Sequence, residues 1–72
     1  MDEYSRILIE EYCYTHNSAR SRRLAYLVDK SYDLGWVGTD DDALFLEKAI
    51  RTEKNPELKE ALQDMDSFLF GY

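Results

Sequence analysis

The sequence predicts an all-α fold, a compact bundle of four short helices. Apolar residues recur at spacings of three and four in four separate segments, which is the helical period. Residues that favour helix N-caps stand just before these segments, and the only proline, Pro56, stands where it can begin a helix instead of breaking one. At 72 residues and 44% hydrophobic composition, the chain has enough material for one core, so residues 1–72 are predicted to form a single helical domain.

The first predicted helix covers residues 2–15. At about 100° per residue its apolar stripe combines Met1, Tyr4, Leu8, Ile9, Tyr12 and Cys13. Ile7 and Tyr14 add apolar groups beyond Glu11, on the other side of the helix. A helix that is apolar around so much of its circumference is either central to a fold or part of an interface.

The second predicted helix covers residues 19–34, with Asn17 or Ser18 as its N-cap and Gly35 as a left-handed residue that ends it. Its core face is predicted to consist of Leu24, Leu27, Val28, Ser31, Tyr32 and Leu34. The loop that follows contains Trp36 and Val37, and we expect this apolar pair to be buried.

The third predicted helix is capped by Thr39, and the carboxylates of residues 40–42 suit the positive end of its dipole. Its core stripe is Ala43, Leu46, Ala49 and Ile50. Asn55 caps the fourth helix, Pro56 takes its first position and Gly71 ends it. The fourth helix has the cleanest amphipathic stripe, formed by Leu58, Ala61, Leu62, Met65, Phe68 and Leu69.

An α+β fold is the alternative architecture. Tyr32, Trp36 and Val37 favour strands, and residues 66–72 can also adopt an extended conformation. A short two-stranded sheet would then form between residues 31–38 and residues 66–72.

No combination of residues in the sequence predicts catalysis, a metal site or a cofactor. Cys13 and His16 share a helix face, but two ligands are too few for a closed zinc site. Residues 40–42 lack the alternating ligands and turn glycine of a calcium loop, and Gly35 and Gly38 are too sparse for a nucleotide-binding motif. We therefore expect a protein that is not an enzyme and that binds neither metal nor cofactor.

The overall charge and the single cysteine limit the location and the partners. A net charge of −6 disfavours non-specific binding to nucleic acid or to an anionic membrane. One cysteine excludes an internal disulfide and suits a reducing compartment. The sequence has no apolar run of membrane-spanning length, and its acidic start is unlike a signal peptide. We expect a cytoplasmic protein.

A positively charged segment, residues 17–23, stands out against this acidic background. Its three arginines lie at the start of the second helix, where they oppose the helix dipole instead of complementing it. Arg20 is predicted to point toward the core, with Glu11 as its partner. The outer face is the candidate partner-binding surface, formed by Arg22, Arg23, Tyr26 and Lys30. The simpler interpretation of this face is a solvated surface with internal ion pairs.

Several apolar groups have no evident place in the core. Leu44 lies opposite the core stripe of the third helix, and Phe70 and Tyr72 stand at the C-terminus. We predict that these three residues form a dimer or partner surface. The predicted function is a non-enzymatic, self-associating adaptor or regulator that inhibits or modulates a larger protein.

Two alternative functions use the charged segments differently. In a helix-turn-helix DNA-binding protein, Arg20, Arg22 and Arg23 would contact the duplex from the start of the second helix. The acidic surroundings disfavour this alternative, so nucleic acid is not the expected partner. In an acidic mimic of nucleic acid, the carboxylates would occupy the DNA site of another protein, and these are Asp40, Asp41, Asp42, Glu57, Glu60 and Asp64.

Overall fold

A computed structural model describes residues 1–71 and shows four α-helices, with no strand among those residues. The helices are α1 (Glu3–Thr15), α2 (Ala19–Lys30), α3 (Asp40–Thr52) and α4 (Pro56–Phe70). The predicted all-α bundle is confirmed. The sheet alternative is wrong because residues 66–70 belong to α4 and residues 31–39 form turns and an irregular connection between α2 and α3.

The N-termini of α2, α3 and α4 lie where the capping residues predict them. The Ser18 hydroxyl accepts a hydrogen bond from the first turn of α2, and the Thr39 hydroxyl does the same for α3. At α4, the Asn55 side chain accepts from two backbone N–H groups and Pro56 follows at the first helical position. These caps satisfy donors that an α-helix leaves without an internal partner, and so they locate each helix start.

The end of α2 differs from the prediction. The helix stops at Lys30, four residues early, and the chain leaves it through successive tight turns. The Asp33 carboxylate accepts a hydrogen bond from the Gly35 N–H at 3.0 Å, and the Asp33 carbonyl accepts one from Trp36 at 3.2 Å. Aspartate thus offers the backbone an alternative to the helix. The prediction that Gly35 adopts a left-handed conformation is also wrong, because none of the described glycines has a positive φ.

The core lies where α1 packs against α2 and α4, and where α4 also packs against α3. Its buried members are Ile9, Leu24, Leu27, Val28, Leu46, Ala49, Leu58, Ala61, Leu62 and Met65. Tyr4 and Phe68, which the stripes place on core faces, lie at the edge and are about half-exposed. Tyr32 and Leu34 are also exposed instead of buried, because they follow the end of α2. Among residues 1–71, no helix is long and apolar enough to cross a membrane.

An aromatic cluster closes the bundle beside the α2–α3 connection. The Trp36 ring meets Tyr26 edge-on at 6.3 Å and Phe70 at 6.0 Å between ring centres. Gly38 passes directly under these rings: a Cβ atom at this position would lie 2.7 Å from Trp36 Cη2 and 2.9 Å from Phe70 Cζ. Glycine is therefore required here for space and not for an unusual backbone conformation.

We expect Gly38→Ala to lower the free energy of unfolding by about 1–2 kcal/mol, because the new methyl group forces the two rings apart. Urea unfolding followed by the fluorescence of Trp36, the only tryptophan, measures this loss. Gly35→Ala is the matched control, since its Cβ meets nothing closer than 3.7 Å. The control should be neutral or slightly stabilising. Equal effects at the two glycines would contradict this account of Gly38.

Candidate partner-binding surface

The three arginines at the start of α2 take three different directions. Ser18 and Ser21 form a capping box that sets the first turn, and Ser21 is buried. From there the helix turns by about 100° per residue, so Arg20 and Arg22 lie on nearly opposite sides. The predicted basic segment is therefore three separate sites and not one patch.

Arg20 points inward and joins three parts of the bundle. Its guanidinium donates to the Tyr12 hydroxyl at 2.6 Å, to the Ala49 carbonyl at 3.2 Å and to the Glu53 carboxylate at 3.0 Å. Burial works against the charged guanidinium, but the hydrogen bonds to Glu53 and Tyr12 outweigh it and raise the pKa of Arg20. Arg20 is thus structural, linking α2 to α1 and to the C-terminal end of α3.

The predicted pairing of Arg20 with Glu11 is wrong. Glu11 is exposed to solvent on α1, and the acidic partner is Glu53, whose side chain is only 12% exposed. Arg20 does point toward the core side, as its helical position predicts. Its partner depends on how the end of α3 approaches α2, which no local pattern shows.

Arg23 is directed toward the start of α3. Its guanidinium lies 2.7 Å from Asp41 Oδ2 and 3.6 Å from Asp42 Oδ1, and it stacks over the Phe45 ring at 4.5 Å. For Asp42, burial raises the pKa, but hydrogen bonds from Thr39 and the charge of Arg23 outweigh burial and lower the pKa below its usual value. These carboxylates compensate an arginine that opposes the dipole of its own helix.

Arg22, Tyr26 and Lys30 lie on the outer side of α2. Arg22 donates to the Asn17 side chain at 3.0 Å, a contact that is fully exposed. The Lys30 ammonium lies 5.2 Å from the centre of the Tyr26 ring, and that tyrosine is 47% exposed. Of the four predicted partner-binding residues, these three remain accessible, whereas Arg23 is held by α3.

The α2–α3 connection adds residues that sequence reasoning missed. Leu34 is 96% exposed and Val37 is 87% exposed, while Trp36 between them is half-buried against Tyr26. The expected burial of Trp36 and Val37 is therefore only half fulfilled, by the tryptophan. We call Tyr26, Lys30, Leu34, Trp36 and Val37 the connector surface. The turn-favouring residues on either side of Leu34, Asp33 and Gly35, are the sequence signal that α2 can stop before it.

Of the three residues of the predicted apolar surface, the two that the structure describes, Leu44 and Phe70, do not share one environment. Leu44 is 63% exposed on α3. Phe70 is half-buried and packs its ring against Trp36, so part of its surface is already covered within the chain. Tyr72 lies outside the described residues.

Cys13 and His16 are occupied by ordinary packing contacts. The imidazole stacks on the Tyr12 ring at 4.1 Å, and its Nδ1 lies 2.9 Å from the Tyr12 carbonyl oxygen. Burial, followed by the charge of Glu10, raises the pKa of the Cys13 thiol, which keeps it protonated and weakly nucleophilic. Within residues 1–71, no three His, Cys, Asp or Glu side chains are placed to hold a metal ion.

Comparisons of this chain with protein-family models, with curated proteins and with solved structures gave no match.

Proposed function

We propose that this protein is a non-enzymatic adaptor or regulator that binds a larger protein through the connector surface. The observation that carries the proposal is the near-complete exposure of Leu34 and Val37 beside the half-buried Trp36. Burying one such aliphatic side chain against a partner contributes about 1.5–3 kcal/mol. Tyrosine and tryptophan are the residue types most often found at the centre of binding surfaces.

The charged residues near the exposed apolar side chains indicate which groups a partner would need. Lys30 belongs to the connector surface, and Arg22 lies one helical turn from Tyr26 on the same outer side of α2. A partner with an apolar pocket and acidic groups at its edge would complement both features. Because the chain has a net charge of −6, such a partner would meet mostly negative charge on the other faces.

The remaining parts of the proposal are the role and the location. We place the protein in the cytoplasm, where its single cysteine would stay reduced. We also propose that it self-associates and that it inhibits or modulates its partner by covering a site on it.

The contacts of the arginines favour a protein partner over DNA. A helix-turn-helix would need Arg20, Arg22 and Arg23 together, but Arg20 is bound to Glu53 and Arg23 to Asp41. The same contacts weaken the nucleic-acid mimic, because Arg23 partly neutralises the carboxylates that would imitate phosphates.

The test is affinity capture from lysate followed by mass spectrometry. We expect Leu34→Ser combined with Val37→Ser to abolish capture of the partner while leaving the circular dichroism spectrum and thermal midpoint unchanged, because both side chains are solvated. Ile7→Ser is the control, a change at an exposed aliphatic residue of α1 that lies outside the connector surface. The proposal fails if the double variant and the control capture the same proteins as the original chain. Salt-sensitive binding of random duplex would support the DNA alternative instead.

A further inference from the structure

The outer face of α2 carries two exposed charges, Arg22 and Asp29, that form no ion pair within residues 1–71. Arg22, Tyr26 and Asp29 are exposed and lie at spacings of four and three, so they form one stripe along the helix. A cation stands at one end, an anion at the other and an aromatic ring near the middle. Among residues 1–71, the Arg22 side chain donates only to Asn17, in an exposed contact, and Asp29 has no ion pair.

We propose that a second copy of this chain docks on this stripe, with the two α2 helices antiparallel about a two-fold axis beside Tyr26. This inference rests on the self-association in the proposed function and specifies its interface. In a two-fold interface, any contact between two different positions occurs twice. The midpoint between Arg22 and Asp29 falls beside Tyr26, so each Arg22 would face the second copy's Asp29, and the two Tyr26 rings would meet near the axis.

The charges of the stripe indicate which molecule docks on it, a second copy of the chain, and in which direction the second α2 helix runs. In a parallel pair at the same register, each Arg22 would face another Arg22 and each Asp29 another Asp29, which is repulsive. In the antiparallel pair, each Arg22 faces an Asp29, and the neighbouring Lys30 reduces but does not reverse this attraction, whereas the parallel pair brings only like charges together. The helix dipoles agree, because the positive end of each α2 then lies beside the negative end of the other. The charges of the stripe therefore favour the antiparallel arrangement.

The groove beside the stripe strengthens the anionic end. Asp29 lines a groove of about 330 Å³ between α1 and α2, together with Glu10, Ala25 and Tyr32. An arginine that reaches Asp29 from a second copy would therefore lie near a second carboxylate, that of Glu10. The Tyr32 ring of this groove is already stacked by Arg6 of the same chain, at 4.4 Å.

The length of α2 limits the area of the proposed interface and so the expected strength of the dimer. A helix of 12 residues is about 18 Å long, which gives an interface at the small end of the range for specific complexes. We expect a weak dimer that depends on concentration and is sensitive to salt.

The experiment is sedimentation velocity of the full chain from about 10 μM to about 1 mM, a range that covers weak association. We expect the original chain to dimerise, Arg22→Asp and Asp29→Arg each to weaken the dimer at least about tenfold, and the double exchange to restore it. Lys48→Asp, an exposed charge change on α3, is the control and should leave the dimer intact. A monomer throughout the range, or a double exchange no better than the single ones, would overturn the inference.

The same samples separate this inference from the connector surface. Leu34→Ser with Val37→Ser should lose the partner but keep the dimer, and Arg22→Asp should lose the dimer but keep Leu34 and Val37 available. The Leu34→Ser and Val37→Ser variant therefore tests partner capture, and the Arg22→Asp variant tests dimerisation. A chain that captures its partner but never dimerises would refute self-association and the two-fold arrangement, and it would leave the connector surface as the partner site.

Discussion

Leu46→Ala is expected to lower the free energy of unfolding by about 3–4 kcal/mol, the largest single effect that we predict. Leu46 is fully buried in the core, so the change removes apolar contacts and leaves a cavity that the neighbouring helices fill only in part. A domain of this size has a total stability of about 4–11 kcal/mol. The substitution should therefore remove a large fraction of the stability.

The matched control is Leu44→Ala, the same change two residues away on the same helix. Leu44 is 63% exposed, and we expect an effect within about 0.5 kcal/mol. Urea unfolding followed by circular dichroism compares the two variants. If Leu46→Ala does not fold, Leu46→Met keeps the volume and should cost less than about 1.5 kcal/mol. Similar losses at positions 44 and 46 would show that the assigned faces of α3 are wrong.

Arg20→Ala is expected to cost about 2–3 kcal/mol, because it leaves the mostly buried Glu53 carboxylate without its cation and the Ala49 carbonyl without its side-chain donor. This estimate is below that for a fully buried pair, because the Arg20 side chain is 30% exposed and solvent screens part of the interaction. Thermal and urea unfolding measure the loss.

Two further variants assign the effect of Arg20 to its contacts. Arg22→Ala, an exposed arginine on the opposite side of the same helix, should change stability by less than about 0.5 kcal/mol. Combining Arg20→Ala with Glu53→Gln should cost less than the two single losses added together, since both remove one interaction. Additive losses would mean that Arg20 and Glu53 act independently and that the pairing described above is not a source of stability.

Much of the fold could be predicted from local sequence patterns. Ser18, Thr39 and Asn55 cap their helices through hydrogen bonds to residues two or three positions away, so the sequence near each site contains all the information needed. The core stripe of α4 is equally local, because the helical period alone places Leu58, Leu62 and Met65 on one side.

The end of α2 shows where such patterns stop being sufficient. The apolar period continues through Leu34, yet the helix stops at Lys30 because the Asp33 side chain and carbonyl satisfy the following backbone in a turn. Periodicity states which residues would share a face if a helix continued. It does not state whether a competing set of hydrogen bonds ends that helix first, and so it predicts Leu34 in the core, whereas Leu34 lies on the connector surface.

What the sequence alone determined is the number of helices, the starts of α2, α3 and α4, and the inward direction of Arg20, since all three follow from patterns within one chain segment. What only the tertiary structure decided is which distant groups meet: Arg20 with Glu53, Arg23 with Asp41, and Trp36 with Phe70. The physical reason is that the helical period sets the direction of a side chain about its own axis. The neighbour in that direction depends on how all four helices pack together to bury their apolar faces.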